Sequence, residues 1–103
     1  MVKLCFYVPA DQLEAVKQAV FAAGAGRIGN YDQCCWQIEG EGQFRPLDGA
    51  NPAIGQQHQL EKVREFRVEM VCADDHITSV IAALKQAHPY EEPAYDVTAM
   101  IEL

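Results

Sequence analysis

The periodicity of the apolar residues changes in the same order in each half of this chain, and that repeated order most constrains its fold. In each half a segment of alternating apolar residues is followed by a segment with apolar residues three and four apart, and then by a second alternating segment. Alternation is typical of a strand with one buried face, and the three-four spacing is typical of an amphipathic helix. The order β-α-β then β-α-β predicts an α+β, ferredoxin-like fold, in which a four-stranded antiparallel sheet carries two helices on one face.

The bounds of these elements follow from where each pattern starts and stops. Asp11 and Glu14 lie near the positive end of the first helical segment, and the pair Asp74-Asp75 is predicted to cap the second helix. An irregular step between Val63 and Phe66 predicts a β-bulge in the longest strand. The predicted strands are Lys3–Val8, Tyr31–Glu39, Val63–Cys72 and Tyr95–Ile101, and the predicted helices are Asp11–Ala23 and Asp75–His88.

The apolar faces of these segments predict one hydrophobic core. A folded chain of this size buries roughly 65% of its unfolded surface, which is enough for a single core. We therefore predict one domain over residues 1–103. The predicted core residues are Leu4, Phe6, Leu13, Val16, Val20, Val68, Met70, Ile77, Val80, Ile81 and Leu84.

The middle of the chain, at about residues 40–60, departs from the repeated pattern. The glycines of Gly40–Gly42 predict a turn, and Gln43–Leu47 predict a short strand that ends at Pro46. The residues that follow show no clear period as far as Leu60. This region is therefore predicted to be an additional hairpin or a loop excursion.

Charge and composition exclude several classes of partner. The net charge of −7 argues against binding to a nucleic-acid backbone or to an anionic membrane. The sequence contains no long apolar run and begins with a strand-like segment in place of a signal peptide, so we expect a cytoplasmic protein. The cysteines form no Cys-x-x-Cys pair and are expected to be free thiols; they are Cys5, Cys34, Cys35 and Cys72.

A glycine-rich segment matches the letters of a dinucleotide-binding motif but has the wrong context. The three glycines are Gly24, Gly26 and Gly29. The nucleotide motif follows a strand and opens a helix, so that the phosphates meet the helix N-terminus. Here the glycines close a helix and lead into a strand. We predict that they serve backbone geometry, with at least one at positive φ, and that they bind no nucleotide.

The turn after the second predicted helix concentrates polar and aromatic chemistry. Its nine residues include one imidazole, two phenols and three carboxylates, and its prolines prevent the helix from continuing. One interpretation is a divalent-metal site formed by His88, Glu91 and Glu92. The other is structural: His88 lies in the last turn of the helix, where the carbonyl end favours a cation, and Tyr90 and Tyr95 cover the edge of the sheet. Both interpretations remain open from the residues alone.

No arrangement of residues in the sequence predicts a catalytic centre. His58 lies in the irregular middle of the chain and His76 at the start of the second helix, and both are expected to be solvated. The sequence contains no evident Ser-His-Asp constellation, phosphate-binding loop or zinc-ligand spacing. We therefore predict no catalytic residues and no required cofactor, with a divalent metal as an open alternative.

Four motifs carry a resemblance that covers nearly the whole chain. In order they are Gly24-Ala25-Gly26-Arg27-Ile28-Gly29-Asn30-Tyr31, Gly42-Gln43-Phe44-Arg45-Pro46, Gly49-Ala50-Asn51-Pro52-Ala53-Ile54-Gly55 and His88-Pro89-Tyr90-Glu91-Glu92-Pro93-Ala94-Tyr95-Asp96. Together they resemble the insertion domain of the dinuclear-metal-centre hexameric proteins, the type 2 GTP cyclohydrolase homologues. That domain is similar in fold to the PII signalling proteins and the CutA proteins. The last motif also resembles one near the end of CutA proteins.

The resemblance implies a PII/CutA-like domain without the family's metal centre. In that family the two metal ions are held by the halves that flank the insert, and this sequence contains neither half. The expected function is a stand-alone, non-enzymatic binding or regulatory module. The alternative is a small divalent-metal-binding protein of the CutA type that uses His88, Glu91 and Glu92.

We also predict that the chain forms a homo-oligomer. A trimer is favoured by the resemblance to PII-like proteins, and a dimer is the alternative. An antiparallel sheet leaves edge strands that small proteins commonly pair or protect. Aromatic residues such as Trp36, Tyr90 and Tyr95 are enriched at interfaces. The segment 88–96 is therefore expected at or beside the subunit contact, and a small-molecule or metal ligand is compatible with this prediction.

Overall fold

The computed structural model describes all residues 1–103 as one antiparallel sheet with two helices. The strands are β1 (Val2–Pro9), β2 (Trp36–Phe44), β3 (Glu61–Cys72) and β4 (Tyr95–Ala99), and the helices are α1 (Leu13–Ala22) and α2 (Ile77–Ala87), with a 3-10 turn at Ala10–Gln12. The strand order is β2-β3-β1-β4 and every neighbouring pair is antiparallel. The predicted α+β, ferredoxin-like fold class is confirmed.

The core lies between the helices and one face of the sheet. In β1, Leu4 and Phe6 are fully buried, and they stand opposite Met70 and Val68 of β3. Both helices contribute to the same buried cluster, because the apolar stripe of each helix faces the sheet. The helix residues in this cluster are Leu13, Val16, Val20 and Phe21 from α1 and Val80 and Leu84 from α2.

Most of the predicted core is confirmed, but two residues of α2 are less enclosed. Ile77 and Ile81 are partly buried and pack against the edge of the core cluster. The reason is that α2 lies over the side of the sheet where β4 is the last strand, and no further element covers that flank. Val8, which alternates on the same face of β1 as Leu4 and Phe6, is also buried. Phe21 and Ala25 are buried although the predicted core did not include them.

The prediction for β2 was wrong in both bounds. The strand begins at Trp36 and not at Tyr31, because Gln33 has a φ of 56° and Tyr31 pairs with Ile28 in a tight turn. The predicted turn Gly40–Gly42 lies inside the strand, where it pairs with β3. The strand ends at Phe44, so the predicted separate strand up to Leu47 is absent.

The predicted bulge in β3 is also absent. Between Val63 and Phe66 the pairing with β2 runs without an extra residue, and Arg64 and Glu65 stand opposite Glu41 and Gly40. The shift in the apolar pattern has a different cause. The first four residues of β3 extend beyond β1, whose last residue pairs with Glu65. From that pair outward β2 and β3 form a hairpin arm, which we define as the ranges 40–44 and 61–65. In this arm neither face contacts the helical layer in full, and strict alternation is not required.

Glu14 lies in the first turn of α1, near its positive end as predicted, but Asp74 and Asp75 do not cap α2 through their side chains. No side-chain cap hydrogen bond forms at either helix start, and α2 begins at Ile77, two residues after Asp75. Asp74 instead pairs with the terminal amine of Met1 at 2.9 Å. The final strand ends at Ala99, two residues before the predicted bound.

The glycine segment after α1 ends the helix and anchors the following loop. Gly24, Gly26 and Gly29 have φ values of 119°, 80° and 56°. The amide of Gly26 donates to the Val71 carbonyl at 2.8 Å, and its carbonyl accepts from the Cys34 amide at 2.8 Å. These bonds attach the loop to the end of β3, so the glycines serve backbone geometry here.

Candidate functional site

A cavity of about 330 Å³ lies between the hairpin arm, the loop 45–60 and the turn 88–94. We call it the turn pocket. Aromatic rings from three separate segments line it, namely Tyr7 of β1, Phe44 of β2 and Tyr90 of the turn. The opposite wall is apolar and comes from the loop, through Ala50, Pro52, Ala53 and Ile54. Three carboxylates and one guanidinium complete it, from Glu65, Glu91, Glu92 and Arg45.

His88 is buried next to the pocket and is not one of the residues that line it. Its side chain is 5% exposed. Nε2 lies 2.7 Å from the Tyr7 carbonyl oxygen, and Nδ1 accepts the Tyr90 amide proton at 3.1 Å. This pair of partners fits only the neutral tautomer with the proton on Nε2. The ring therefore ties the turn to the end of β1.

The environment of His88 lowers the pKa of its imidazole. Burial is the largest cause, because it disfavours the charged ring, while the bond to the Tyr7 carbonyl and the charge of Glu65 act in the opposite direction. Protonation at Nδ1 would also remove the acceptor that the Tyr90 amide uses. The sequence interpretation of His88 as a cation at the helix end is therefore incorrect for the folded state.

This arrangement predicts a pH dependence of stability. A lowered pKa means that, below the ordinary value of 6.5, the unfolded chain takes up a proton that native His88 resists. The contribution of His88 is complete above that value and is lost as the pH falls. The free energy of unfolding should therefore decrease between about pH 7.5 and pH 5.5, and His88→Gln should show a smaller decrease.

Urea unfolding at several pH values measures this effect. His76→Gln is the matched control, because His76 is exposed at the start of α2 and its pH profile should follow the wild type. Parallel profiles for the wild type and His88→Gln would contradict the prediction.

Tyr90 is held by two contacts on opposite sides. Its ring packs edge-on against Phe44 with centroids 5.6 Å apart, and its hydroxyl donates to Oε2 of Glu65 at 3.1 Å. Burial, followed by the charge and hydrogen bond of Glu65, raises the pKa of the Tyr90 phenol well above its usual range. Tyr90 therefore stays protonated and acts as a hydrogen-bond donor.

Gly42 makes room for the Glu65 carboxylate. Both residues lie on the same face of the hairpin arm, and a Cβ at Gly42 would overlap Oε1 of Glu65. This explains why a residue type that is unfavourable in strands is found inside β2. Glu65 takes part in none of the ion pairs of the structure, although its side chain is half-buried.

The loop 45–60 is attached to the turn by one hydrogen bond. The Asn51 amide donates to Oε1 of Glu91 at 3.0 Å and joins the two walls of the pocket. Within the loop, the His58 amide donates to the Pro46 carbonyl at 2.6 Å, and the His58 ring contacts Asp48. The excursion predicted near residues 40–60 is thus an ordered loop at 45–60 without helix or strand.

The structure separates the candidate residues predicted from the sequence. Tyr90, Glu91 and Glu92 line the pocket, and His88 lies behind it. Tyr95 lies elsewhere, on the helical face of β4, where the Lys85 ammonium is 5.6 Å from its ring centre.

The three proposed metal ligands are not brought together. Both ring nitrogens of His88 already have partners within the protein, and Glu91 bonds to the loop. Nowhere in the chain do three or more histidine, cysteine, aspartate or glutamate side chains form a group that could hold a metal ion.

Most residues that line the pocket were not among the candidates predicted from the sequence, and the most polar and aromatic of these are Tyr7, Phe44, Arg45 and Glu65. Phe44 and Arg45 belong to one of the four resemblance motifs, which is a signal that could have indicated them. Tyr7 and Glu65 lie on the polar side of their alternating strands, which indicates only that they face away from the helices. Nothing local indicated that the loop and the turn would meet over them.

The strand order and the two helices give a ferredoxin-like, CutA/PII-like fold. Among known structures, the chain is similar to the Bacillus cereus protein related to NIF3, with a TM-score of 0.83 and 40% identity over 98% of this chain and 26% of that one. It also has the fold of the periplasmic divalent cation tolerance protein CutA from Archaeoglobus fulgidus, with a TM-score of 0.69 and 13% identity over 99% of this chain and 86% of that one.

Curated relatives give the more particular relationship. The chain is 50% identical over 99 residues to the GTP cyclohydrolase 1 type 2 homolog of Mycobacterium tuberculosis, and 48% identical over 95 residues to that of Bacillus subtilis. These matches cover 96% and 92% of this chain, but the chain spans only 26% of the length of either relative. No protein-family model matches. The chain is therefore homologous to one segment of the type 2 GTP cyclohydrolase homologues, as the sequence motifs predicted.

Neither helix has the length and apolar character that a membrane crossing requires.

Proposed function

We propose that this chain is a binding module that self-associates through the open face of its sheet and has no catalytic centre of its own. The observation that carries this proposal is the face of the sheet opposite the helices. Trp36 and Ile38 of β2 lie on it with 56% and 50% of their surface exposed. Apolar groups of this size on an uncovered sheet face favour burial against another surface.

The charged residues of the same face are compatible with burial in an interface. Lys3 contacts Glu69 at 2.9 Å, and Arg67 contacts the other oxygen of Glu69 at 3.7 Å. Glu69 and Arg67 lie in β3, between Trp36 and Ile38 of β2 and Cys5 and Tyr7 of β1, while Lys3 lies in β1 itself. Charges that are already paired cost less to desolvate than isolated ones.

The face also connects with the turn pocket. Tyr7 belongs to the open face and lines the pocket, so a partner on the face would lie beside the turn 88–94. This supports the expectation that the segment 88–96 lies beside the subunit contact. A trimer is favoured by the resemblance to PII and CutA proteins, and a dimer is the alternative.

The name of the relatives does not by itself supply an activity for this chain. A cyclohydrolase reaction needs groups that activate water and stabilise charge, and no serine, threonine, cysteine or histidine lines the pocket for its carboxylates to activate. His88 is engaged at both nitrogens, and Tyr90 is held protonated. These features support a role in binding.

Sedimentation equilibrium tests the assembly. The wild type should sediment at about three times the chain mass of 11.5 kDa, and the double variant Trp36→Gln, Ile38→Thr should shift the equilibrium towards the single chain. The change removes apolar surface from the interface and leaves the helical core unchanged. Leu60→Thr is the control, because Leu60 is 57% exposed at the end of the loop and should leave the mass unchanged.

The single tryptophan provides a second measurement. Burial of Trp36 in an interface should move its fluorescence to shorter wavelength as the protein concentration rises. A wild type that remains a single chain across micromolar concentrations would overturn the self-association proposal.

A further inference from the structure

We propose that the turn pocket binds a small organic cation, with an ammonium or guanidinium group on an apolar body. This inference rests on the binding part of the proposed function and names its ligand class. It does not depend on self-association.

The size and walls of the pocket suit a small molecule. Its volume of about 330 Å³ is at the lower end of the range found for ligand sites. The loop wall is aliphatic, and the facing wall presents the rings of Phe44 and Tyr90. The Asn51–Glu91 hydrogen bond joins the two walls, so the cavity is bounded on more than one side.

The charged residues that line the pocket favour a positively charged ligand. Glu65, Glu91 and Glu92 line it against the single guanidinium of Arg45, and the whole chain is acidic. Glu65 is the strongest indication of a cationic ligand. It is half-buried, accepts a hydrogen bond from the Tyr90 hydroxyl and has no cationic partner within the chain. A partly desolvated carboxylate without a counter-ion favours a cation and opposes an anion.

The aromatic residues favour an organic cation over a metal ion. Ammonium and guanidinium groups gain from contact with aromatic faces as well as from carboxylates, and Tyr7, Phe44 and Tyr90 all line the same cavity. A divalent metal would need several oxygen or nitrogen ligands close together, and no such group exists in the chain.

Isothermal titration calorimetry with phenethylamine tests the proposal, with phenethyl alcohol as a neutral probe of the same shape. Phenethylamine should bind with a dissociation constant of about 1 mM or tighter, and the alcohol should bind about tenfold more weakly. Binding of the amine should weaken as salt is added, because Glu91 and Glu92 are exposed to solvent. Equal binding of the two probes, or no saturable binding of the amine, would overturn the proposal.

A charge-removing substitution locates the site. Glu65→Gln keeps an oxygen for the Tyr90 hydroxyl but removes the negative charge, and it should weaken phenethylamine binding about tenfold. Glu41→Gln is the matched control, because Glu41 lies on the same hairpin arm but points to the other face and should leave the affinity unchanged. Equal affinity of Glu65→Gln and the wild type would contradict the assignment.

Two further titrations separate the possible outcomes. A capped tripeptide with a central arginine that bound more tightly than phenethylamine would overturn the assignment to a free small molecule. The same titration on the variant Trp36→Gln, Ile38→Thr should give the wild-type affinity, since neither residue lines the pocket. If the wild type binds the amine but does not self-associate, the ligand proposal holds and only the self-association proposal is rejected.

Discussion

Replacing Leu84 with alanine is expected to lower the free energy of unfolding by about 2–5 kcal/mol. Leu84 is fully buried in α2 and belongs to the cluster that both helices form with β1 and β3. The change removes apolar surface from the core and leaves a cavity that the surrounding strands cannot fill. Its carbonyl also accepts the His88 amide at 2.9 Å, so loss of packing there would loosen the start of the turn.

Urea unfolding followed by circular dichroism measures this loss. Leu60→Ala is the control, because the same atoms are removed from a side chain that is 57% exposed. It should change the free energy of unfolding by less than about 0.5 kcal/mol. A loss below about 1 kcal/mol for Leu84→Ala would mean that the site collapses around the cavity or that α2 is not packed as described.

Replacing Gly26 with alanine is expected to lower the free energy of unfolding by about 2–4 kcal/mol. Two effects add at this position. The φ of 80° is unfavourable for any residue with a Cβ, and a Cβ there would lie 2.8 Å from Cε1 of Phe21 and 3.0 Å from the Cys34 carbonyl oxygen. Phe21 belongs to the core and Cys34 is held by backbone bonds, so neither can move freely.

Gly29→Ala separates the two effects. Gly29 also has a positive φ, of 56°, but an added Cβ would meet nothing within 4 Å. This variant should therefore lose only the conformational part, about 1 kcal/mol. Equal losses for Gly26→Ala and Gly29→Ala in the same urea series would show that contact with Phe21 is not the cause.

The turn pocket shows how the fold converts a connecting segment into a candidate site. The buried neutral imidazole of His88 joins the turn to β1, and the Tyr90 hydroxyl joins it to β3 through Glu65. Glu91 then joins the turn to the loop 45–60 through the Asn51 amide. Three contacts therefore hold four segments around one cavity, namely the turn, β1, β3 and the loop. A ligand there would contact the turn directly and reach Tyr7, which also lies on the open sheet face.

The sequence alone determined the elements whose residues carry a local period. The alternation around Leu4 and Phe6, the stripe through Val16 and Val20, and the stripe ending at Leu84 predicted β1, α1 and α2 with errors of a few residues at most. It also determined the fold class, because the repeated β-α-β order and the handedness of crossovers leave few arrangements. The four family motifs also predicted that the chain is related to one segment of larger proteins.

The tertiary structure alone decided where β2 lies, what His88 does and which residues form the pocket. The local sequence predicts a turn at Gly40 and Gly42, but both residues pair with β3 and are part of a strand. The absence of a side chain at Gly42 leaves room for the Glu65 carboxylate. His88 reads as a cation at a helix end, yet burial and two internal partners hold it neutral. These outcomes depend on contacts between residues far apart in the chain, such as His88 and Tyr7, which are 81 positions apart. A local period indicates which side of an element is apolar but not which residues that side will contact.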